Sequence, residues 1–331
     1  MDSFTQIVLG IATAELCAGE KLHRKTFLYG AILGTIPDLD VIVGLFLDDV
    51  AGVAIHRGLS HSLLFFLLLS PLLGWIISRL EYKRINFKGA TILAFWCLLT
   101  HVILDLFTSW GTQVLWPLPH RIAIKTIFVI DPLYTLPLLI SLIVAWRTTA
   151  VASRRKLVLR GAYVSSLYLM LTCVLKLYAL QQFKNALDEQ QIASTNLIVK
   201  PTAFNCILWN ANVATTDAYY LGDYSLFDSK PITFVRYEKD AALSKQLEGN
   251  QDFETLKRVS EGWFIVTRKD STYYFNDLRF GLLKDDPKHP QFAFSYVFKE
   301  QAGELKATEV PKQKRDGKML MKNILSRIGG N

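Results

Sequence analysis

Seven ionisable side chains among the first 131 residues sit where ionisable groups are costly. Asp38, Asp40, His56, His61, His101, Asp105 and Asp131 lie within or beside long apolar runs. A charged side chain inside an apolar span costs at least ~2.5–3.5 kcal/mol, so such residues are functional candidates by default. Imidazole with carboxylate, and no thiolate nearby, is donor chemistry for zinc, manganese or iron. One or two such ions with an open position would lower the pKa of a bound water to ~7, and a pair could clamp a phosphoryl group. His101 and Asp105 are four apart, so a helix points both the same way. His56-Arg57-Gly58-Leu59-Ser60-His61 sets two imidazoles five apart, too far round a helix for one face, but a turn through Gly58 would aim both at one point. Pro37 breaks its helix just ahead of Asp38 and Asp40. Irregular backbone at membrane depth is tolerated where it lines a cavity or is buried in protein. Asp131 precedes Pro132 and reads equally as a helix N-cap. Asp38, Asp40 and Asp131 are candidates for a base or proton shuttle. The planar fork of Arg57 suits bidentate contact with a phosphate.

The elements that must position these groups are apolar stretches at roughly 4–19, 27–47, 62–78, 90–107, 127–146 and 161–180. A span needs ~20 mostly apolar residues. The sequence therefore predicts an α-helical polytopic membrane bundle of about five to six spans, one broken at Pro37. The first stretch has only Asp2 as a charge before Glu15, so it lacks the basic start of a cleaved signal and is read as retained. Twelve Lys and Arg residues fall in loops 20–26, 79–89 and 147–160, against three in 48–61 and 108–126. The positive-inside rule then puts the twelve in the cytoplasm and everything after residue 180 outside. In that topology the seven groups reach one depth near the outer face, with Asp2 and Gln6 of the first stretch at the same level.

Beyond residue 180 the chain changes character. NLIVK, FNCILWN, AYYLGDYSLF, ITFVRY, GWFIVTR, STYYFNDLRF and FAFSYVF are short β-branched and aromatic runs separated by turn residues. They predict a small mainly-β soluble domain with one helix near 240–258. We divide the chain into a transmembrane domain at 1–180, an extracytoplasmic domain at 181–310 and a basic, flexible tail at 311–331. The formal charge of +8 comes with a mean hydropathy of +0.24, which excludes disorder. Residues 181–310 carry a net −3, so no nucleic-acid surface is expected there. Four cysteines with no Cys-x-x-Cys pair exclude a disulfide framework and thiolate zinc.

At the polar positions the sequence resembles the membrane-bound metal-dependent hydrolases, also called LexA-binding, inner-membrane-associated hydrolases. The matching stretches are MDSFTQIVLG, GTIPDLDV, HRGLSHS, THVILDLFTSWGTQVLWP and IDPLYTLPLL, over about the first 150 residues. The resemblance implies a bacterial inner-membrane protein with a metal-dependent hydrolase activity. It implies metal ligation by Asp38, His56, His61, His101 and Asp105, zinc first, with manganese or iron as other choices. Asp40, Arg57 and Asp131 are then the catalytic candidates, with Asp2 and Gln6 behind the ligands. Many relatives read His where this chain has Gln6, which leaves at best a weak carbonyl ligand or a hydrogen-bond donor there. Nothing in these residues supports contact with a repressor. The expected activity is hydrolysis of a phosphoester or lipid-linked substrate at the outer face of the membrane lipid bilayer by metal-activated water. A proton- or metal-ion-coupled transporter is the alternative, and a non-enzymatic scaffold or stress-response factor is a third.

Overall fold

Asp2 accepts a hydrogen bond from the Thr5 N–H and so starts α1, Ser3–Leu22. A short turn leads into α2, Lys25–Thr35, whose end tightens into a 3₁₀ turn at Ile36–Leu39 with Pro37 in its first positions. Then come α3 (Asp40–Gly44), α4 (Asp49–Ile55) and a 3₁₀ turn at Leu59–His61. Ser62 caps α5, Leu63–Leu80, and Asn86 caps α6, Phe87–Leu106. After a long connection Asp131 caps α7, Pro132–Arg147, and α8 runs over Val151–Glu189. The computed structural model describes residues 1–284, 291–301, 303–311 and 317–331.

The described chain divides into two units. The first comprises Met1–Ile42, Arg57–Val174 and Ala203–Asn205; the second comprises Val43–His56, Leu175–Thr202 and Cys206–Asn331. α8 contributes residues to both.

In the helical unit α1 is the central element. It supplies Val8 and Ala12 to one apolar core with α7, and Ala14, Ala18 and Leu22 to another with α2 and α6. α1 and α2 meet through glycines. A Cβ on Gly30 would stand 2.5 Å from Gly10 O, and one on Gly34 would stand 2.7 Å from Gln6 O. Small residues let backbones approach where lipid offers helices no hydrophobic drive to associate. α5 shows the same logic on both faces: Phe66, Ser70, Gly74 and Ile77 are buried, while Leu64, Leu67, Leu68, Leu72 and Trp75 are exposed. An outward apolar face of this extent marks an interaction surface, for membrane or for protein.

Four helical stretches are long and apolar enough to cross a membrane by length and composition: Lys25–Gly44, Leu63–Leu80, Phe87–Leu106 and Val151–Glu189. α7 is a shorter apolar helix. The sequence expectation was five to six. α1 has the length, but it carries Gln6, Thr13 and Glu15 on its buried side.

The second unit is built on two antiparallel sheets. The first has the order β1 (Asn196–Pro201), β2 (Leu208–Ala214), β3 (Ala218–Ser225) and β4 (Phe234–Glu238). Phe183 and Leu187 at the end of α8 pack on Val199, Trp209 and Val213 of this sheet. Two helices follow where the sequence suggested one: α9 (Ala241–Leu247) and α10 (Gln251–Val259), broken at Gly249, whose φ of +85° is left-handed. The second sheet has the order β5 (Phe264–Lys269), β6 (Thr272–Lys284), β7 (Gln291–Gln301) and β8 (Glu304–Glu309). Val50 of α4 joins its core with Phe253 and Phe275. β8 was not among the runs read from the sequence, since ELKATE carries too few apolar residues. Residues 317–328 form α11, Gly317–Ile328, where the sequence suggested a flexible tail. Lys312, Lys314, Arg315 and Asp316 of that tail lie outside the described residues.

Candidate metal centre

Three separate segments of the helical unit bring four side chains to one point. His101 and Asp105 stand one turn apart near the end of α6, and both are buried. Asp38 lies in the 3₁₀ turn that Pro37 imposes after α2. His61 ends the 3₁₀ turn just ahead of α5. His61 Nε2 is 3.4 Å from Asp38 Oδ1 and 3.4 Å from Asp105 Oδ2. His101 Nε2 is 3.4 Å from Asp38 Oδ1 and 3.9 Å from Asp105 Oδ2. All four ligand atoms lie within 4.8 Å of one another.

Those separations fit a metal better than a hydrogen-bonded polar cluster. Ligands at ~2.0–2.1 Å from a tetrahedral zinc stand about 3.4 Å apart along each edge. A hydrogen bond between the same atoms would close to ~2.7–3.2 Å. His101 Nε2 is buried and makes no hydrogen bond among the described residues, while Asp105 Oδ2 has an ion-pair contact with Arg57 Nε at 3.1 Å. Buried polar atoms are ordinarily satisfied, so each such atom requires an explanation. Two carboxylates facing each other repel, and a cation between them removes that repulsion. The donor set of two imidazoles and two carboxylates suits zinc, manganese or iron.

The far sides of the ligands are held too. His101 Nδ1 lies 2.7 Å from the Gly34 carbonyl and can only donate to it, which leaves Nε2 as the lone-pair atom. His61 Nδ1 lies 2.9 Å from Ser60 Oγ, and Ser60 Oγ donates to Asp40 Oδ2 at 3.0 Å. Outer contacts of this kind fix the tautomer and raise the basicity of a metal-bound imidazole. Gln6 Nε2 donates to Asp105 Oδ1 at 2.9 Å and to the His101 carbonyl at 3.2 Å. The Met1 amino group also rests on Asp105 Oδ1.

The other sequence candidates are not among the four. Asp40 is outside the four and accepts from Ser60 and from the Arg57 N–H, 2.9 Å away. The Arg57 guanidinium is buried, with Nε 3.1 Å from Asp105 Oδ2 and Nη1 donating to Thr108 Oγ1 at 2.8 Å. It is engaged inside the protein rather than presented to a phosphate. His56 ends α4 in the second unit and is not one of the four. The turn between the two histidines comes at Arg57, with φ +57°, where the sequence pointed to Gly58. Asp131 accepts from the N–H groups of Leu133 and Tyr134 and from the Tyr168 hydroxyl, so it holds the start of α7. Asp2 caps α1 and takes the Thr5 hydroxyl at 2.6 Å. Sequence reasoning missed Ser60 and Thr108, which lie inside the motif stretches, and the Gly34 carbonyl, which no side-chain type encodes.

The model of a family described as YdjM inner membrane protein matches residues 1–181. YfhP of Bacillus subtilis (strain 168), itself uncharacterised, is 24% identical over 235 residues, 67% of this chain and 68% of that protein. Inner membrane protein YbcI of Escherichia coli (strain K12) is 34% identical over 117 residues, 33% of this chain and 66% of that protein. No solved structure matches the chain.

Proposed function

Given that the chain belongs to the YdjM inner membrane protein family, we propose that it is an integral inner-membrane metalloprotein that hydrolyses a phosphoester or lipid-linked substrate. The observation that carries this reading is the convergence of ligand atoms from Asp38, His61, His101 and Asp105 within 4.8 Å of one another, three of the separations being 3.4 Å, with both outer imidazole nitrogens tied down. A divalent ion held there would supply Lewis acidity for attack by water on a phosphorus or carbonyl centre. Asp38 is the ligand nearest solvent, its side chain 14% exposed against 0–1% for the other three. Water and substrate would therefore approach past Asp38. Asp40 and Ser60 hold the His61 ring, and Arg57 balances the charge of Asp105. The bias of loop cations supports an outward-facing site with the sheet unit in the periplasm.

Transport is less well supported. Asp105 is one residue from the end of α6 and His61 two before the start of α5, so the group sits by helix ends rather than midway along them. The near-complete burial of His61, His101 and Asp105 favours one second reading, a closed structural metal that ties three segments together.

The test uses the full chain in detergent. Metal analysis is expected to give one divalent ion per chain in the wild type and much less in His61→Ala, His101→Ala and Asp105→Asn. Chelation is expected to abolish hydrolysis of bis(p-nitrophenyl) phosphate or of a fluorescent phospholipid. Bound metal with a chelation-sensitive melting temperature but no hydrolysis would select the structural reading. A metal-free wild type, or undiminished metal in Asp105→Asn, would refute both.

A further inference from the structure

The connection from α6 to α7 counts as an aqueous loop by its place in the sequence, but its tip is apolar. Thr112 and Ile122 exchange both backbone hydrogen bonds at 3.0 Å and close a hairpin stem. The Ile124 N–H donates to the Leu106 carbonyl and the Thr126 N–H to that of Phe107, which seats the stem on the end of α6. Within the tip, the Trp116 N–H donates to the Gln113 carbonyl and the Leu118 N–H to that of Leu115. The tip is therefore a run of hydrogen-bonded turns. Its sequence from Val114 to Pro119 is VLWPLP, and every residue from Leu115 to His120 is exposed. Leu115 is 56% exposed, Trp116 37% and Leu118 53%. Turns in water favour Gly, Asn, Asp and Ser, whereas adjoining exposed apolar side chains mark an interaction site.

Two observations point to lipid as the partner. The hairpin is fastened to the start of a candidate span. The Leu63 N–H donates to the Val114 carbonyl at 2.9 Å, and the Gln113 N–H donates to the Arg57 carbonyl at 3.0 Å. Leu63 opens α5, which is long and apolar enough to cross a membrane and which exposes Leu63, Leu64, Leu67 and Leu68. The tip therefore starts level with the first turn of α5, at the height where that helix's outward apolar face begins. The order of residue types is the second observation: the apolar tip contains Trp116 and is followed by Arg121 and Lys125. Tryptophan collects at the membrane–water boundary. Leucine and tryptophan beside cations are the composition of segments that lie among lipid headgroups.

We propose that the Leu115–Leu118 tip inserts into the membrane leaflet on the side of the four-residue group, with the lipid surface as its partner. The stem clamps Arg57–Leu63, the segment that carries His61, so the same insertion holds that segment at headgroup level. Neither a bound ion nor hydrolysis is required for it. The experiment reconstitutes the full chain in phosphatidylcholine vesicles brominated on the acyl chains near the headgroup, since bromine quenches tryptophan on contact. The Trp116 signal is the difference between wild type and Trp116→Phe. Trp75, exposed on α5, reports span insertion in the same way through Trp75→Phe. The expected result is at least a twofold loss of the Trp116 signal in brominated against plain vesicles. In native membranes, p-benzoylphenylalanine in place of Leu118 is expected to give phospholipid adducts on irradiation, read by mass spectrometry. A quenched Trp75 with an unquenched Trp116 would overturn the proposal and leave the spans standing. With neither quenched, the membrane reading falls with it. Adducts at position 118 to a second copy or another protein, with none to lipid, would assign the tip to a protein partner and overturn the proposal too.

Discussion

Ser60 carries no charge and would not ligate a metal, yet it sets the state of His61. Its hydroxyl bridges His61 Nδ1 and Asp40 Oδ2 at 2.9 and 3.0 Å. Outer-shell partners of this kind are typically worth ~10–100-fold in metal affinity. Ser60→Ala is therefore expected to weaken metal binding by about that factor, measured by competition with a chromophoric chelator. Asp131 supplies the contrast, because its carboxylate caps α7 and meets Tyr168 rather than the ligands. Asp131→Asn should leave metal content unchanged and lower stability by ~1 kcal/mol or less, since asparagine also caps helices. An equal loss of metal in both variants would show that Asp131 reaches the centre.

Between elements, α2 presents a backbone carbonyl to His101 of α6 while packing closely on α1. Gly34 carries that carbonyl, and a Cβ at the same residue would press on Gln6 O. Backbone cannot swing aside as a long side chain can, so the helices must part. Gly34→Ala is expected to destabilise by ~1–3 kcal/mol and to weaken metal binding as well. Gly44→Ala, whose nearest neighbour would be 3.7 Å away, should do neither. A thermal melt paired with the chelator competition checks both. In the sheet unit, α11 is held by Arg327, whose Nη2 donates to Asp228 at 2.6 Å, and by its Ile328 carbonyl, which accepts from Ser225. Burial opposes ionisation of Asp228, but the Arg327 fork and the Ser225 N–H outweigh it and hold the carboxyl below its ordinary value. A depressed carboxyl contributes stability above its unfolded pKa of ~3.9 and loses it as pH falls through the folded value. Below about pH 4 the C-terminal helix should therefore detach first, seen as early amide exchange in 317–328, and Asp228→Asn should remove that acid dependence.

At the scale of the whole chain, each unit has cores of its own, and all four ligands belong to the helical one. A fragment of residues 1–189 in detergent is accordingly expected to keep its metal while changing substrate preference. Metal analysis and hydrolysis rates on the folded fragment check the two halves of that statement. Loss of metal from a folded fragment would mean that the sheet unit holds the ligands in place.

How far the sequence alone reached can be judged residue by residue. Apolar run length separated a helical membrane half from a sheet-rich half, because hydropathy is a property each side chain carries wherever it sits. The four-residue spacing of His101 and Asp105 put both on one helix face, and the proline before Asp38 marked the break, since both effects are local in the chain. The sequence named both His56 and His61 as ligands, and that only His61 belongs to the group of four was not legible. It depends on a left-handed turn at Arg57 and on which unit claims α4, and neither follows from residue type. The engagement of Arg57 with Asp105, the capping role of Asp131 and the Gly34 carbonyl under His101 likewise arise only where distant segments meet. Ligation needs atoms a few ångströms apart, and contacts across 40 to 70 residues are fixed by helix crossing and close glycine packing rather than by composition.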